Sequence, residues 1–262
     1  MLAPRDLPPE YRQWNRTWQA PHGRWLRGQR YLQRVLPEDV LVRLRGPFCI
    51  QPNNDTRRYE YPWAYFALPR PHGLQVMDLG GGLSGFQFVL AREGLKVVNV
   101  DPGTAEKGWP VNQASIDRLN RIFGAAVQLK NCTLADAAIA PGTFDRVYCL
   151  SVLEHFSVAQ FSSVVDSVWA CLKPGGHFVV TADLFLDLEP FTSRKENEWG
   201  TNFPIARLLE HPGFECTYGS VDEIYGSATF DSDRIQSNLA AYLIGGFYPV
   251  LVQCLILRKR PD

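Results

Sequence analysis

No C-x-x-C pair and no cluster of cysteine with histidine occurs in the 262 residues of this chain. The six cysteines, at 49, 132, 149, 171, 216 and 254, are scattered singly. Structural zinc and a disulfide framework are therefore both disfavoured. Several of these cysteines sit inside apolar runs, where a thiol packs as a small hydrophobe. Net charge is missing too, since 27 Lys and Arg balance 27 Asp and Glu. The front of the chain lacks lysine altogether. Residues 1 to 70 hold twelve Arg and six acids, and the remainder holds 15 basic and 21 acidic groups. A basic front segment reads either as a surface attracting an anionic substrate or partner, or as a solvated arginine-rich face.

The start, MLAPRDLPPEYRQW, has no apolar core of signal-peptide length. That absence predicts a cytoplasmic protein. Charge is absent from residues 235 to 257, a stretch long enough to span a bilayer. Gly245, Gly246 and Pro249 interrupt it, and Gln236, Ser237, Asn238 and Gln253 are polar. A short helix, a turn and a buried strand fit this pattern better than a membrane span.

What is present reads as a globular α/β protein, with 45% hydrophobic and 21% charged residues. Residues 1–70, rich in Trp, Tyr, Pro and Arg, form an N-terminal helical and aromatic extension. A helical pattern in YLQRVLPEDVLVRL is divided by Pro37. The aromatic segment RRYEYPWAYFAL (57 to 68) is a candidate lid, and Pro69, Pro71 and Gly73 mark a boundary. Residues 71–262 form the main domain. Strands are predicted over 74 to 79, 95 to 101, 125 to 131, 144 to 150 and 177 to 184, with two more near FECTYG and PVLVQCLILRK. Helices are predicted in SGFQFVLAREG, VNQASIDRLNRIFG, HFSVAQFSSVVDSVWACL and NFPIARLLEHPGF. Alternating strands and helices imply a mainly parallel sheet covered on both faces. Ligands of such sheets sit at the carboxyl ends of the strands, near the switch point.

At the first of those ends stands VMDLGGGLSG, with Gly80, Gly81, Gly82 and Gly85. Gly80-x-Gly82-x-x-Gly85 fits a nucleotide fingerprint, and Asp101 lies 21 residues beyond Gly80, suitably placed for ribose hydroxyls. The spacing alone does not separate NAD from other nucleosides. Asp78 does: a pyrophosphate beside this carboxylate at ~4 Å would be repelled by about 4 kcal/mol at an effective dielectric of 20. A cationic nucleoside gains from the same acid. Asp78 also reads as a structural cap of the loop.

In the order VMDLGGGLSG, VNVDPG, FDRVYCLSVLEHF and LKPGGHFVV, the chain resembles the class I S-adenosylmethionine-dependent methyltransferases over about residues 71 to 184. The resemblance implies S-adenosyl-L-methionine as cofactor. It implies a Rossmann-like, doubly wound seven-stranded sheet whose last strand runs antiparallel. It brings Gly80 and Gly82 to the methionine part and Asp101 to the ribose, with Asp78, Gly81 and Gly85 as further cofactor-binding candidates. Asn131, Cys132 and Thr133 are candidates at the adenine, and Leu150 touches the cofactor through its backbone. Around Glu154-His155 the sequence is similar to ubiquinone-pathway O-methyltransferases, where E-x-x-E-H can carry a metal. Here Ser151 stands at the first acid, so no metal is expected.

The implied reaction is methylation of a small molecule or glycan, at oxygen, with His155 as general base. The bland alternative for His155 is a hydrogen bond at the start of the next helix. Arg57, Arg58, Tyr59, Tyr61, Trp63 and Glu154 are candidate substrate contacts. For the aromatics the competing reading is that they staple the extension onto the core. LSVLEH replaces the D/N-P-P-Y/F motif of amino-methylating DNA enzymes, and Cys149 lacks the Pro of a Pro-Cys nucleophile pair, so nucleic acid is disfavoured. Protein methylation, an NAD-dependent oxidoreductase, a non-catalytic binding module and a homo-oligomeric assembly remain open alternatives.

Overall fold

The computed structural model describes residues 1–103, 109–156 and 158–261. Seven strands form one sheet in the order β3-β2-β1-β4-β5-β7-β6. They are β1 (Gln75–Leu79), β2 (Lys96–Val100), β3 (Gln128–Lys130), β4 (Phe144–Leu150), β5 (Leu172–Phe185), β6 (Phe214–Tyr218) and β7 (Val250–Lys259). The pairs along β3-β2-β1-β4-β5 are parallel, and β7 runs antiparallel between β5 and β6. The strand order reverses at β1 and β4, whose carboxyl ends frame the crevice where ligands of such sheets bind.

Apolar alternation within the strands supplies two faces. Val76, Tyr148, Val179 and Val252 pack to one side, and Met77, Val147, Cys149 and Val180 to the other. The first face is covered by α5 (Gly85–Arg92) and α6 (Gln113–Phe123) together with residues of the extension. The second is covered by α7 (Val158–Cys171) and a 3-10 turn at Ile205–Glu210. NFPIARLLEHPGF thus forms a short 3-10 element where a longer helix is predicted. His155 falls on a separate 3-10 turn, Leu153–His155, before α7. Ser157, within that predicted helix, lies outside the described residues. Residues 235 to 257 divide into the end of α8 (Ser232–Ser237), a turn and the buried β7. No helix among the described residues is long and apolar enough to cross a membrane.

The extension folds as α1 (Pro9–Trp18), α2 (Gln29–Val35), α3 (Glu38–Arg45) and α4 (Arg57–Phe66). Pro37 separates α2 from α3, since its ring cannot continue a helix. The candidate lid is α4, and it is core. Tyr59, Glu60, Tyr61, Pro62, Trp63, Ala64 and Tyr65 are all buried. Trp14, Phe48, Tyr61 and Trp63 belong to the same apolar cluster as Val76 and Phe86 of the main domain. Residues 1–70 are therefore not separately cored, and in this structure α4 is packed into the same core as the main sheet.

Trp63 is 2% exposed, with its ring 5.6 Å from that of Tyr218. Trp63→Ala is expected to cost about 3–5 kcal/mol of folding stability, read from denaturant midpoints. A loss below about 1 kcal/mol would return α4 to the role of a mobile lid.

Candidate active site

At the end of β1 the backbone turns through Gly80 (φ 68°) and Gly82 (φ 54°), conformations that side chains disfavour. A Cβ on Gly80 would lie 2.5 Å from Val152 Cγ1, so the turn needs glycine there for space as well. The turn is held by side chains from elsewhere. Asp101 Oδ2 accepts from Gly82 N at 2.9 Å, and its Oδ1 accepts from Gly103 N at 2.7 Å. Gln51 Oε1 accepts from Leu83 N at 3.1 Å. The Gly82 carbonyl accepts from Asn99 Nδ2 at 2.8 Å and from Gln87 Nε2 at 3.1 Å. Asn131 Nδ2 donates to the Asp101 carbonyl at 3.0 Å, which ties the end of β3 to the end of β2. Each Asp101 oxygen uses one acceptor direction on the backbone, and a carboxylate has about four such directions. The half-buried carboxylate therefore keeps capacity for two neighbouring hydroxyls.

Asp78 sits beneath this turn. Its carboxyl is 2% exposed, and Oδ2 has no hydrogen-bond partner. A Cβ on Gly81 would meet that oxygen at 2.5 Å and Asn99 Oδ1, also unpartnered, at 3.1 Å. Burial, and then the nearby Asp101, push the Asp78 pKa up to about 7. This revises the electrostatic reading of the sequence. Asp78 is a buried group whose carboxyl gains and loses its proton near neutrality, not a fixed anion standing in the crevice. A cation nearby would draw its proton off, and a phosphate would drive the proton on.

A second cluster lies past the ends of β4 and β5. Arg57 donates to Glu60 Oε1 and to the Ser151 hydroxyl. That hydroxyl lies 2.7 Å from Glu60 Oε2 and 3.3 Å from Asp183 Oδ1. Thr181 Oγ1 donates to Glu60 Oε2 at 2.6 Å, and Tyr248 Oη donates to Asp183 Oδ2 at 3.0 Å. Glu154 Oε1 accepts from Asp183 N at 3.3 Å, while its buried Oε2 has no partner. Three buried carboxyl groups thus surround one guanidinium. Burial and then Asp183 hold the Glu154 pKa well above the carboxylate range. Burial raises Asp183 to about 6, against the pull of Arg57. His155 is exposed at the edge of this cluster, and partial desolvation and Arg57 hold its pKa below the ordinary value.

The candidates thus divide. Asp78, Gly80, Gly81, Gly82, Asp101 and Asn131 meet around one turn. Gly85 is buried at the start of α5, where a Cβ would strike the Phe48 ring at 2.7 Å; its smallness serves packing. The Thr133 hydroxyl is taken by Asp136 at 2.6 Å, closing a local turn beside half-buried Cys132. Leu150 ends β4 and leads directly into Ser151. Arg57 and Glu154 meet in the second cluster. Arg58 is exposed and lines a separate cavity with Arg12, Asn15 and Arg16. Tyr59, Tyr61 and Trp63, taken from sequence as acceptor contacts, are core residues. Tyr61 Oη donates to Asn53 Oδ1, and its ring stacks on Phe86. The sequence reading missed Gln51, Gln87, Asn99, Asp183 and Tyr248. Asn99 and Asp183 carried a signal, as lone polar residues inside apolar strands; Gln51 and Gln87 carried none.

Residues 77–180 match the family model described as a methyltransferase domain. Over 106 residues the chain is 33% identical to a ubiquinone biosynthesis O-methyltransferase of Colwellia psychrerythraea, a match covering 40% of each chain. The matched segment thus spans well under two thirds of that relative. The 1,6-didemethyltoxoflavin-N1-methyltransferase of Burkholderia thailandensis, solved with 1,6-didemethyltoxoflavin and S-adenosylhomocysteine bound, superposes with a TM-score of 0.52. That superposition covers 99% of this chain and 95% of the other, at 16% identity. The 4+2 cyclase SpnF superposes with a TM-score of 0.56 over 90% of this chain and 96% of its own, at 15% identity. Likeness at such identities fixes the architecture, and this architecture carries more than one reaction.

The raised carboxyl groups make a pH prediction. Asp78 holds its proton to about 7 when folded, against 3.8 as the ordinary value. Between those values the folded state binds more protons than the unfolded, so stability falls as pH rises. Glu154 and Asp183 act in the same direction. The melting temperature of the ligand-free protein should drop between about pH 4 and about pH 7, and Asp78→Asn should flatten that slope. An Asp78→Asn slope equal to that of the unmodified chain would place the titration elsewhere.

Proposed function

We propose that this chain, which carries a class I S-adenosylmethionine-dependent methyltransferase domain, methylates an oxygen of a small molecule. The observation that carries this reading is the carboxylate of Asp101, fixed at the rim of a side-chain-free turn with acceptor capacity to spare. That geometry suits a nucleoside, whose two ribose hydroxyls are donors. At Gly80, Gly81 and Gly82 a Cβ would meet Val152, Asp78 and Gln51, so the turn keeps this shape only without side chains. The titratable acid beneath it gains from a neighbouring cation by giving up its proton. These residues fit S-adenosyl-L-methionine, with Asn131, Cys132 and Thr133 toward the adenine and the Leu150 backbone toward the sugar. Bound there, the cofactor supplies an electrophilic methyl group on a sulfonium.

The chain's own residues do the rest. The turn and Asp101 position the donor, and the ends of β4 and β5 wall the acceptor side. The acceptor oxygen must lie about 3–3.5 Å from the methyl carbon, in line with the leaving sulfur. His155, with its lowered pKa, is neutral near pH 7 and can take the acceptor's hydroxyl proton on a ring nitrogen. Arg57 balances part of the buried negative charge beside it. A glycan hydroxyl is a narrower version of the same acceptor chemistry. The name of the Colwellia relative, a ubiquinone biosynthesis O-methyltransferase, supports oxygen as the acceptor atom.

Titration calorimetry with S-adenosylhomocysteine tests the donor site. Asp101→Ala should weaken binding tenfold or more, about 1.4 kcal/mol or above, and NAD should not bind. Tight NAD binding with no response to the thioether would overturn the donor assignment. Labelled-methyl transfer to a panel of phenols tests the base: His155→Ala should keep thioether affinity and lose about 10²–10⁴-fold in turnover. Unchanged turnover would remove His155 from the chemistry.

A further inference from the structure

We propose that residues 24 to 45 form a surface that docks on an anionic lipid bilayer. Ten large hydrophobic side chains are exposed among the described residues, and five of them lie here: Trp25 (77% exposed), Tyr31 (67%), Val35 (52%), Val40 (41%) and Leu44 (45%). Soluble surfaces carry such side chains singly; a cluster marks an interaction site. The α2 helix contains no buried residue; among the described residues its side chains are exposed or at most half-buried. Tyr31 and Val35 stand four residues apart on α2, as Val40 and Leu44 do on α3, and each pair shares a helical stripe.

The charge of the segment selects the partner. Arg24, Arg27, Arg30, Arg34 and Arg43 are exposed between and beside these side chains. The only acids in the segment, Glu38 and Asp39, are both engaged by Arg118 of α6, at 2.8 and 2.6 Å. Exposed cations thus flank exposed Trp, Tyr and aliphatic groups. This is the composition of an interfacial surface, where aromatic rings sit at the headgroup level and guanidiniums meet anionic lipid. Nucleic acid would use the arginines and Trp25, but it offers nothing to Val35, Val40 and Leu44. A second copy in an isologous pair would set the same arginines against one another. The docking is peripheral and independent of the reaction proposed above.

Cosedimentation of the full chain with vesicles tests this. Phosphatidylcholine vesicles doped with phosphatidylglycerol should retain the protein, pure phosphatidylcholine should retain far less, and added salt should release it. Arg30→Glu with Arg34→Glu should abolish retention, and Trp25→Ala with Tyr31→Ala should weaken it at least tenfold. Both variants should bind S-adenosylhomocysteine as the unmodified chain does, which shows that they fold. No retention of the unmodified chain, or equal retention of the variants, overturns the proposal. Binding to a single-stranded oligonucleotide without retention by anionic vesicles overturns it in favour of nucleic acid.

Discussion

A turn made of glycines cannot hold its own shape. Between Gly80 and Gly82 the backbone lacks the side chains that would restrict it, and two of its residues adopt positive φ. Its order is imported. The Asp101 carboxylate and the Gln51 amide oxygen take its N–H groups, and the Asn99 and Gln87 amides take its Gly82 carbonyl. These partners come from the end of β2, from β2 itself, from α5 and from the extension. They converge because β1 and β2 pair in parallel register, with Asp78 beside Asn99. A cleft shaped before its ligand arrives costs less ordering on binding.

The acceptor side obeys a different constraint. It gathers buried carboxyl groups around one guanidinium, and burial of charge is expensive unless charges are matched and hydrogen-bonded. Arg57 and Glu60 share a turn of α4, so the extension carries its own ion pair into the end of the main sheet. Asp183 and Glu154 then exceed the positive charge available, and protons make up the difference. Ser151, where the metal-carrying pattern has an acid, bonds to Arg57 and lies beside Glu60. The positive charge among these carboxyl groups is therefore a side chain of the protein.

The sheet was legible in the sequence because apolar runs such as FDRVYCL and PVLVQCLILRK are bounded by turn residues. The glycine turn and Asp101 were legible because their chemistry depends on short spacing. The role of α4 was not. Tyr59, Tyr61 and Trp63 have the composition of an aromatic platform and of a core equally, and only long-range packing separates the two. Gln51 was invisible for the same reason: its bond to Leu83 spans 32 residues. Asp78 lies beneath the turn that follows it in sequence, but its burial to 2% exposure, and the proton it therefore holds, cannot be read from a motif.

The tie between the extension and the far end of the chain has a bearing on recombination. Asn54 Oδ1, just ahead of α4, accepts from Gly246 N at 2.7 Å. Gly245 approaches the same amide so closely that a Cβ there would lie 2.6 Å from it. Tyr248 then reaches Asp183 from the same loop. A chimera that exchanged acceptor preference by swapping the first 70 residues would break these seams. Its crossover needs three breakpoints, with the loop at 245–248 inherited from the same parent as the extension.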